Sequence, residues 1–323
     1  MSAALLKTGR HAIVTLDQRG QINAAIELPG RGHDFALRPD GLTVAFARRP
    51  GTFAVAFHSA RPNSTTHIFS AARGRHFNGH GAFSEDGRLL YASENDFERG
   101  VGVIGVYDAS SFERIGELDS GGIGPHEILR LPNGLLAVAN GGIETHPDFP
   151  RAKLNLATMR PNLAYLKAST GDIVERREWR ADLRQLSIRH MTSVGARNDT
   201  TVWFGCQWVG DAGTGVPLVG YHRRGDELAL LPAPESGWQS MNDYIGSVAH
   251  FANGTRIAAS SPRGNRIAIW TIDGRFERTI ERQDVSGLSK RGNELVFTDG
   301  LGATSFGAAS DARAFDNHLR TLS

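Results

Sequence analysis

A single cysteine, Cys206, stands among 323 residues, so no intrachain disulfide can form and no thiolate metal cluster can be assembled. Lying inside TVWFGCQW (201–208), it reads as a small buried apolar residue. No run approaches the ~18 apolar residues of a membrane span. The opening MSAALLKTGRHAIV lacks the basic n-region and long h-region of a secretory signal. The expectation is a soluble chain with no membrane span and no export signal of its own, for which the cytoplasm stays open. Charge of one sign is missing too: 36 Lys and Arg face 34 Asp and Glu, a net of +2. Basic residues gather only in RRP (48–50), ERREWR (175–180) and HRR (222–224), whereas a nucleic-acid binder presents a basic stripe. Nucleic acid is therefore excluded as a partner. Catalytic signatures are equally scarce, with no G-x-S-x-G, H-E-x-x-H or P-loop pattern. No residue is assigned a catalytic role.

Long amphipathic helices are absent as well, and only RAKLNLATMR (151–160) suggests a short helical insertion. Strands dominate instead. LTVAFAR (42–48), GVIGVYD (102–108), TVWFGCQW, LVGYH (218–222) and RIAIWTI (266–272) are rich in β-branched and aromatic residues at near-alternating spacing. Between such runs sit Asp-Gly at 40–41 and 86–87, Asn-Gly at 133–134 and 253–254, and Gly-Asn at 292–293. These dipeptides suit hairpins, because the turn needs positive φ that Gly and Asn adopt cheaply. Aligned on the turns, units begin near residues 33, 80, 126, 190, 246 and 286. Four-stranded units of about 40–45 residues are the signature of propeller blades. The expected fold is all-β: one β-propeller domain over 1–323, with six repeats counted and room for a seventh in 300–323. Residues 11–28 look like two outer strands that complete the last blade and close the ring. An insertion, 141–160, should lie over one face.

Four units carry a histidine at the start of the inner strand: GRGHDFALRPDG, NGHGAFSEDG, GPHEILRLPNG and IRHMTSVGARND. In a closed ring His33, His80, His126 and His190 would face one axis, with Glu127 beside His126. Imidazole and carboxylate together suit one transition-metal ion such as Fe, Cu or Zn. Loops on the same face would add Arg48, Arg49, Glu94, Asn95, Asn140, His146 and Arg189 as ligand-binding residues. The alternative is architectural, since propeller repeats also use histidines for hydrogen bonds within and between blades. His318 reads only as a residue near the terminus.

The longer motifs GRGHDFALRPD, FARRPGTFAV, GRHFNGHGAFSEDGRLLYASENDFERGVGVIGVYDA, GGIGPHE, VANGGIETHPD and FDNHL resemble the bacterial domain of unknown function 1513 family. That resemblance implies a YVTN- or WD40-like propeller, usually exported, and hence a periplasmic location. It also implies work in iron or other metal acquisition beside an imelysin-like or di-haem peroxidase-like partner. It brings no established activity. The favoured reading is a monomeric, non-enzymatic propeller binding a metal, a small ligand or a partner protein. A metal-dependent propeller hydrolase or lactonase and a pure interaction scaffold stay open.

Overall fold

The computed structural model describes residues 1–61, 65–149, 152–308 and 311–322. The alternating runs become seven antiparallel sheets of four strands each. In the first blade the chain passes from Gly32–Leu37 through Leu42–Ala47 and Phe53–His58 to His67–Ser70. The inner strands of successive blades are Gly32–Leu37, Arg75–Phe83, Pro125–Arg130, Leu186–Val194, Ser247–Phe251, Val285–Arg291 and Ala312–Leu319. Each packs beside the next and the last beside the first, so the ring is closed.

Burial follows radius. Second and third strands, such as Leu89–Asp96 and Val101–Asp108, are covered on both faces by neighbouring blades and are buried almost throughout. That is why they read as continuous apolar runs. Outer strands such as Arg114–Asp119 alternate between half-buried and exposed residues. Aromatics fill the wedges between blades, as where the rings of Phe46 and Phe77 meet at 5.5 Å. The Asp-Gly and Asn-Gly pairs lie in the inner hairpins, and Gly41, Gly87, Gly134 and Asn253 there all take positive φ.

Two expectations need correction. The ring closes with three N-terminal strands rather than two: Ser2–Leu6, His11–Leu16 and Ile22–Glu27 add to the single C-terminal strand Ala312–Leu319. The sixth unit is thus a blade in its own right, and its outer strands, Ala303–Thr304 and Gly307–Ala308, are too short to leave an alternating pattern. Among its described residues, which leave out 150 and 151, the insertion holds no helix beyond one 3-10 turn, Leu156–Thr158. Asn155 explains this. Its side chain accepts from the Glu144 amide and donates to the Gly142 carbonyl, which fastens the segment as a loop before Pro161 ends it.

Candidate metal centre

Six of the seven inner strands slip register against their neighbour. Extra residues bulge between Gly32 and Phe35, Phe77 and Gly81, Pro125 and Ile128, Ile188 and His190, Val285 and Leu288, and Phe315 and Leu319. Only Ser247–Phe251 pairs without a slip. A bulge breaks strict alternation and re-aims side chains. Sequence neighbours such as His33 and Asp34, or His126 and Glu127, can therefore both turn to the interior. Five of these bulges carry a histidine, within the inner strand rather than ahead of it.

The five rings form one cluster. His33 lies 4.9 Å from His80, 5.8 Å from His126, 6.4 Å from His190 and 4.7 Å from His318, centroid to centroid. His80 and His126 are 4.5 Å apart, His126 and His190 4.8 Å, and His190 and His318 4.9 Å. Ion pairs flank the layer on both sides. Toward the face where the inner strands begin, here the upper face, Asp316 accepts from Arg31 at 2.7 Å and Arg48 at 3.2 Å. Beneath the rings, Arg320 donates to Asp34 and, at 2.9 Å, to Glu127. Glu127 also accepts from the Met191 amide at 2.8 Å.

These carboxylates set the tautomers. His80 Nδ1–H donates to Asp34 at 3.0 Å and His33 Nδ1–H to Asp316 at 2.9 Å, which leaves Nε2 of each ring as the lone-pair nitrogen. Burial pushes His33 down to about 4, against the pull of Asp316 and helped by His80 and Arg48. Burial and neighbouring imidazoles hold His126, His190 and His318 well below the ordinary histidine range. Burial opposes the charge on Asp34, yet Arg320 and His318, with hydrogen bonds from His80 and Arg320, keep its carboxyl well below the usual value. Neutral imidazole oriented by an ionised carboxylate is the form that ligates metals.

Nε2 of His80, Nε2 of His318 and both nitrogens of His190 are buried without any hydrogen-bond partner among the described residues. One such atom costs roughly 1–3 kcal/mol, so four in one cluster need a reason. Potential ligand atoms of His80, His190 and His318 lie within 4.8 Å of one another, as do those of His33, His80 and His126 and those of Asp34, His80 and Glu127.

Other residues expected to bind a ligand fall elsewhere. Glu94 is fully buried between strands, bonded to the Tyr107 hydroxyl at 2.5 Å and to Arg114 at 3.1 Å, and burial raises its pKa. It braces a blade. Asn140 spends its amide on the Ser120 carbonyl and Asn162, and Asn95 spends its own on Thr145 and Asn78. His146 sits at the rim, its ring 5.1 Å from Phe97. Arg48 and Arg189 both lie near enough to Arg49 for their charges to lower its pKa. Sequence reasoning missed His318, Asp34, Asp316 and Arg320. The signal was present in FDNHL (315–319), where histidine again stands between apolar residues of an inner strand.

Two sites test how tightly this layer is built. A Cβ on Gly79, at φ +97°, would come within 2.5 Å of the His33 ring. Gly79→Ala should therefore cost about 2 kcal/mol or more through strain and displacement of that ring. A urea midpoint equal to wild type would contradict the packing. Just above, His76 is buried, its Nδ1–H bonded to the Phe77 carbonyl. Burial, with Arg49 and His146 nearby, takes its pKa down to about 4. The unfolded chain therefore binds that proton first, from about pH 6.5, and stability drains away between pH 6.5 and 4. His76→Gln should lose about 2 kcal/mol less than wild type between pH 7 and pH 5 in urea melts. Parallel pH profiles would reject the shift.

A closed ring of seven four-stranded blades with an imidazole cluster on its axis defines a seven-bladed β-propeller. The family model for proteins of unknown function named DUF1513 matches residues 26–322, and the chain belongs to that family. Among solved structures it is similar to a chain of Kuenenia stuttgartiensis hydrazine synthase, with a TM-score of 0.69 and 12% identity over 90% of this chain and 86% of that one. It is also similar to a chain of the mitotic checkpoint complex, with a TM-score of 0.61 and 11% identity over 88% and 76%. At such identities the likeness concerns fold alone. No curated protein matches in sequence. No helix among the described residues is long and apolar enough to cross a membrane.

Proposed function

We propose that this propeller binds one transition-metal ion on its axis and performs no catalysis itself. His80, His190 and His318 supply Nε2 ligands, and His33, His126 and Glu127 complete or exchange with that set. The observation that carries the reading is the convergence of buried, unpartnered imidazole nitrogens from three different blades. Three imidazole ligands suit Zn, Fe or Cu far better than Ca or Mg, which take oxygen ligands. Bonds of about 2.0–2.1 Å would draw the rings inward from their present spacing. The hydrolase alternative needs a general base beside the ion, and each nearby carboxylate is engaged: Asp34 and Glu127 by Arg320, Asp316 by Arg31 and Arg48. A role in metal acquisition in the periplasm, beside an imelysin-like or di-haem peroxidase-like partner, fits this chemistry and rests on the family resemblance. Chelator-treated protein titrated with Zn(II), Fe(II) and Cu(II) should take up about one equivalent of at least one of them. Uptake of none would end the reading.

A further inference from the structure

Three of the guanidiniums near the axis, those of Arg31, Arg48 and Arg320, are paired with carboxylates. A second group of cations on the upper face is not. Arg49 follows Arg48 in the loop after Leu42–Ala47, and Arg189 stands next to His190 in the fourth inner strand. Lys153 comes from the insertion. Arg263 comes from the loop between Arg256–Ser261 and Arg266–Thr271, with its guanidinium 4.9 Å over the Tyr244 ring. Among the described residues, none of these four is within ion-pair reach of a carboxylate, and Arg189 Nε is buried with no hydrogen-bond partner.

Arg189 links them, because its charge lowers both Arg49 and Lys153. Burial, then Arg189 and Arg48, bring Arg49 down to about 10. Burial lowers Arg189, with Arg48 and Arg263 adding to the effect, and burial lowers Lys153, with Arg189 and Arg263 adding. Four blades thus bring like charges to one face with no carboxylate paired to them among the described residues, which folding alone does not reward. The supports are firm. The Gly51 amide donates to the Arg48 carbonyl at 2.9 Å, and the Phe77 amide donates to the Gly51 carbonyl at 3.0 Å, tying the Arg49 loop to the next blade. The Tyr244 hydroxyl accepts from Asn317 at 2.6 Å, which leaves its own proton free to donate.

We propose that Arg49, Arg189, Arg263 and Lys153, with the Tyr244 hydroxyl, form a binding site for a small anion bearing carboxylate or phosphate oxygens, at the upper mouth of the channel. Guanidinium forks match both kinds of oxygen with paired hydrogen bonds. The site goes beyond the metal reading and stands without it, because its donors need no ion in the histidine cluster. The site suits a small ligand rather than a polyanionic surface, since Arg49 and Arg189 are half-buried rather than spread along the exterior.

The test is calorimetric titration of chelator-treated protein with citrate and with inorganic phosphate, at low and at physiological ionic strength. Wild type should bind at least one probe one-to-one, more weakly at the higher salt. Arg49→Gln and Arg189→Gln should each weaken binding about tenfold or more, as loss of a charge-assisted hydrogen bond does. Lys153→Gln, a change at an exposed side chain, should weaken it in the same direction and guards against misfolding of the arginine variants. The two citrate and phosphate curves together tell a carboxylate site from a phosphate site. Failure of wild type to bind either probe, or unchanged affinity in all three variants, would overturn the proposal. The metal reading is separable: His190→Ala/His318→Ala should keep its anion affinity, while Arg49→Gln/Arg189→Gln should keep its metal stoichiometry.

Discussion

Asp34→Ala should lower the free energy of unfolding by about 3–5 kcal/mol, the usual cost of stripping one partner from a buried charged network. Asp34 is 1% exposed. Its carboxylate accepts from His80 Nδ1 at 3.0 Å and from both Nε and a terminal nitrogen of Arg320, with His318 Nδ1 at 3.7 Å. Removing it leaves the His80 N–H without a partner and leaves Arg320 with Glu127 alone. It also unties the first and second blades from the closing strand, since Asp34, His80 and Arg320 belong to three different blades. The exposed pair Arg38–Asp40 is the control, and Asp40→Ala should cost less than about 1 kcal/mol because solvent screens it. Guanidinium melts of both variants decide the matter. A loss under about 1 kcal/mol for Asp34→Ala, with an unchanged m-value, would mean that the network is not holding the axis together. In the proposed metal site Asp34 would orient His80 as a ligand, so metal affinity should drop some 10- to 100-fold in the same variant.

The fold was legible where local chemistry repeats. Asp40-Gly41, Asp86-Gly87 and Asn133-Gly134 dictate turns, and apolar runs such as Leu89–Tyr91 follow them at blade spacing. Four histidines were legible because each sits at the same point of that repeat. The closing of the ring by N-terminal strands was legible too, but the count stopped between six and seven, because the last blade's strands come from opposite ends of the chain and no local window contains them. His318 and Asp316 were lost with that blade. Arg320, just past the same strand, was lost with them, whereas Asp34 was missed for another reason. In a regular strand the residue after an inward histidine points the other way, and only the bulge between Gly32 and Phe35 lets His33 and Asp34 both turn inward. Bulges are set by pairing with a neighbouring strand, and a single sequence carries no mark of that pairing. Glu94 shows the opposite error. Placed in a charged stretch, SENDFERG, it reads as an exposed loop residue, yet Tyr107 and Arg114 bury it within the blade.

Replacing His190 and His318 together should separate ligands from architecture, because the two roles give opposite results. The double variant His190→Leu/His318→Leu is expected to lose metal uptake, with affinity falling at least about a hundredfold once two of three imidazoles are gone. Its metal-free stability should stay within about 1 kcal/mol of wild type or rise. His190 makes no hydrogen bond through either nitrogen, and His318 makes none through Nε2, so a similar-sized apolar side chain removes buried polar atoms that nothing satisfies. Such a gain in stability on losing function is what a binding site assembled against the interests of folding would show. His222 serves as the contrasting case. It is equally buried, but its nitrogens are met by the Tyr165 hydroxyl at 2.7 Å and the Asp226 carbonyl at 3.0 Å. His222→Leu should destabilise by about 1–3 kcal/mol and leave metal uptake untouched. Calorimetric titration and urea melts on the two variants suffice. If the axial pair behaves like His222, with stability lost and metal binding intact, the imidazoles are struts between blades and the metal belongs elsewhere.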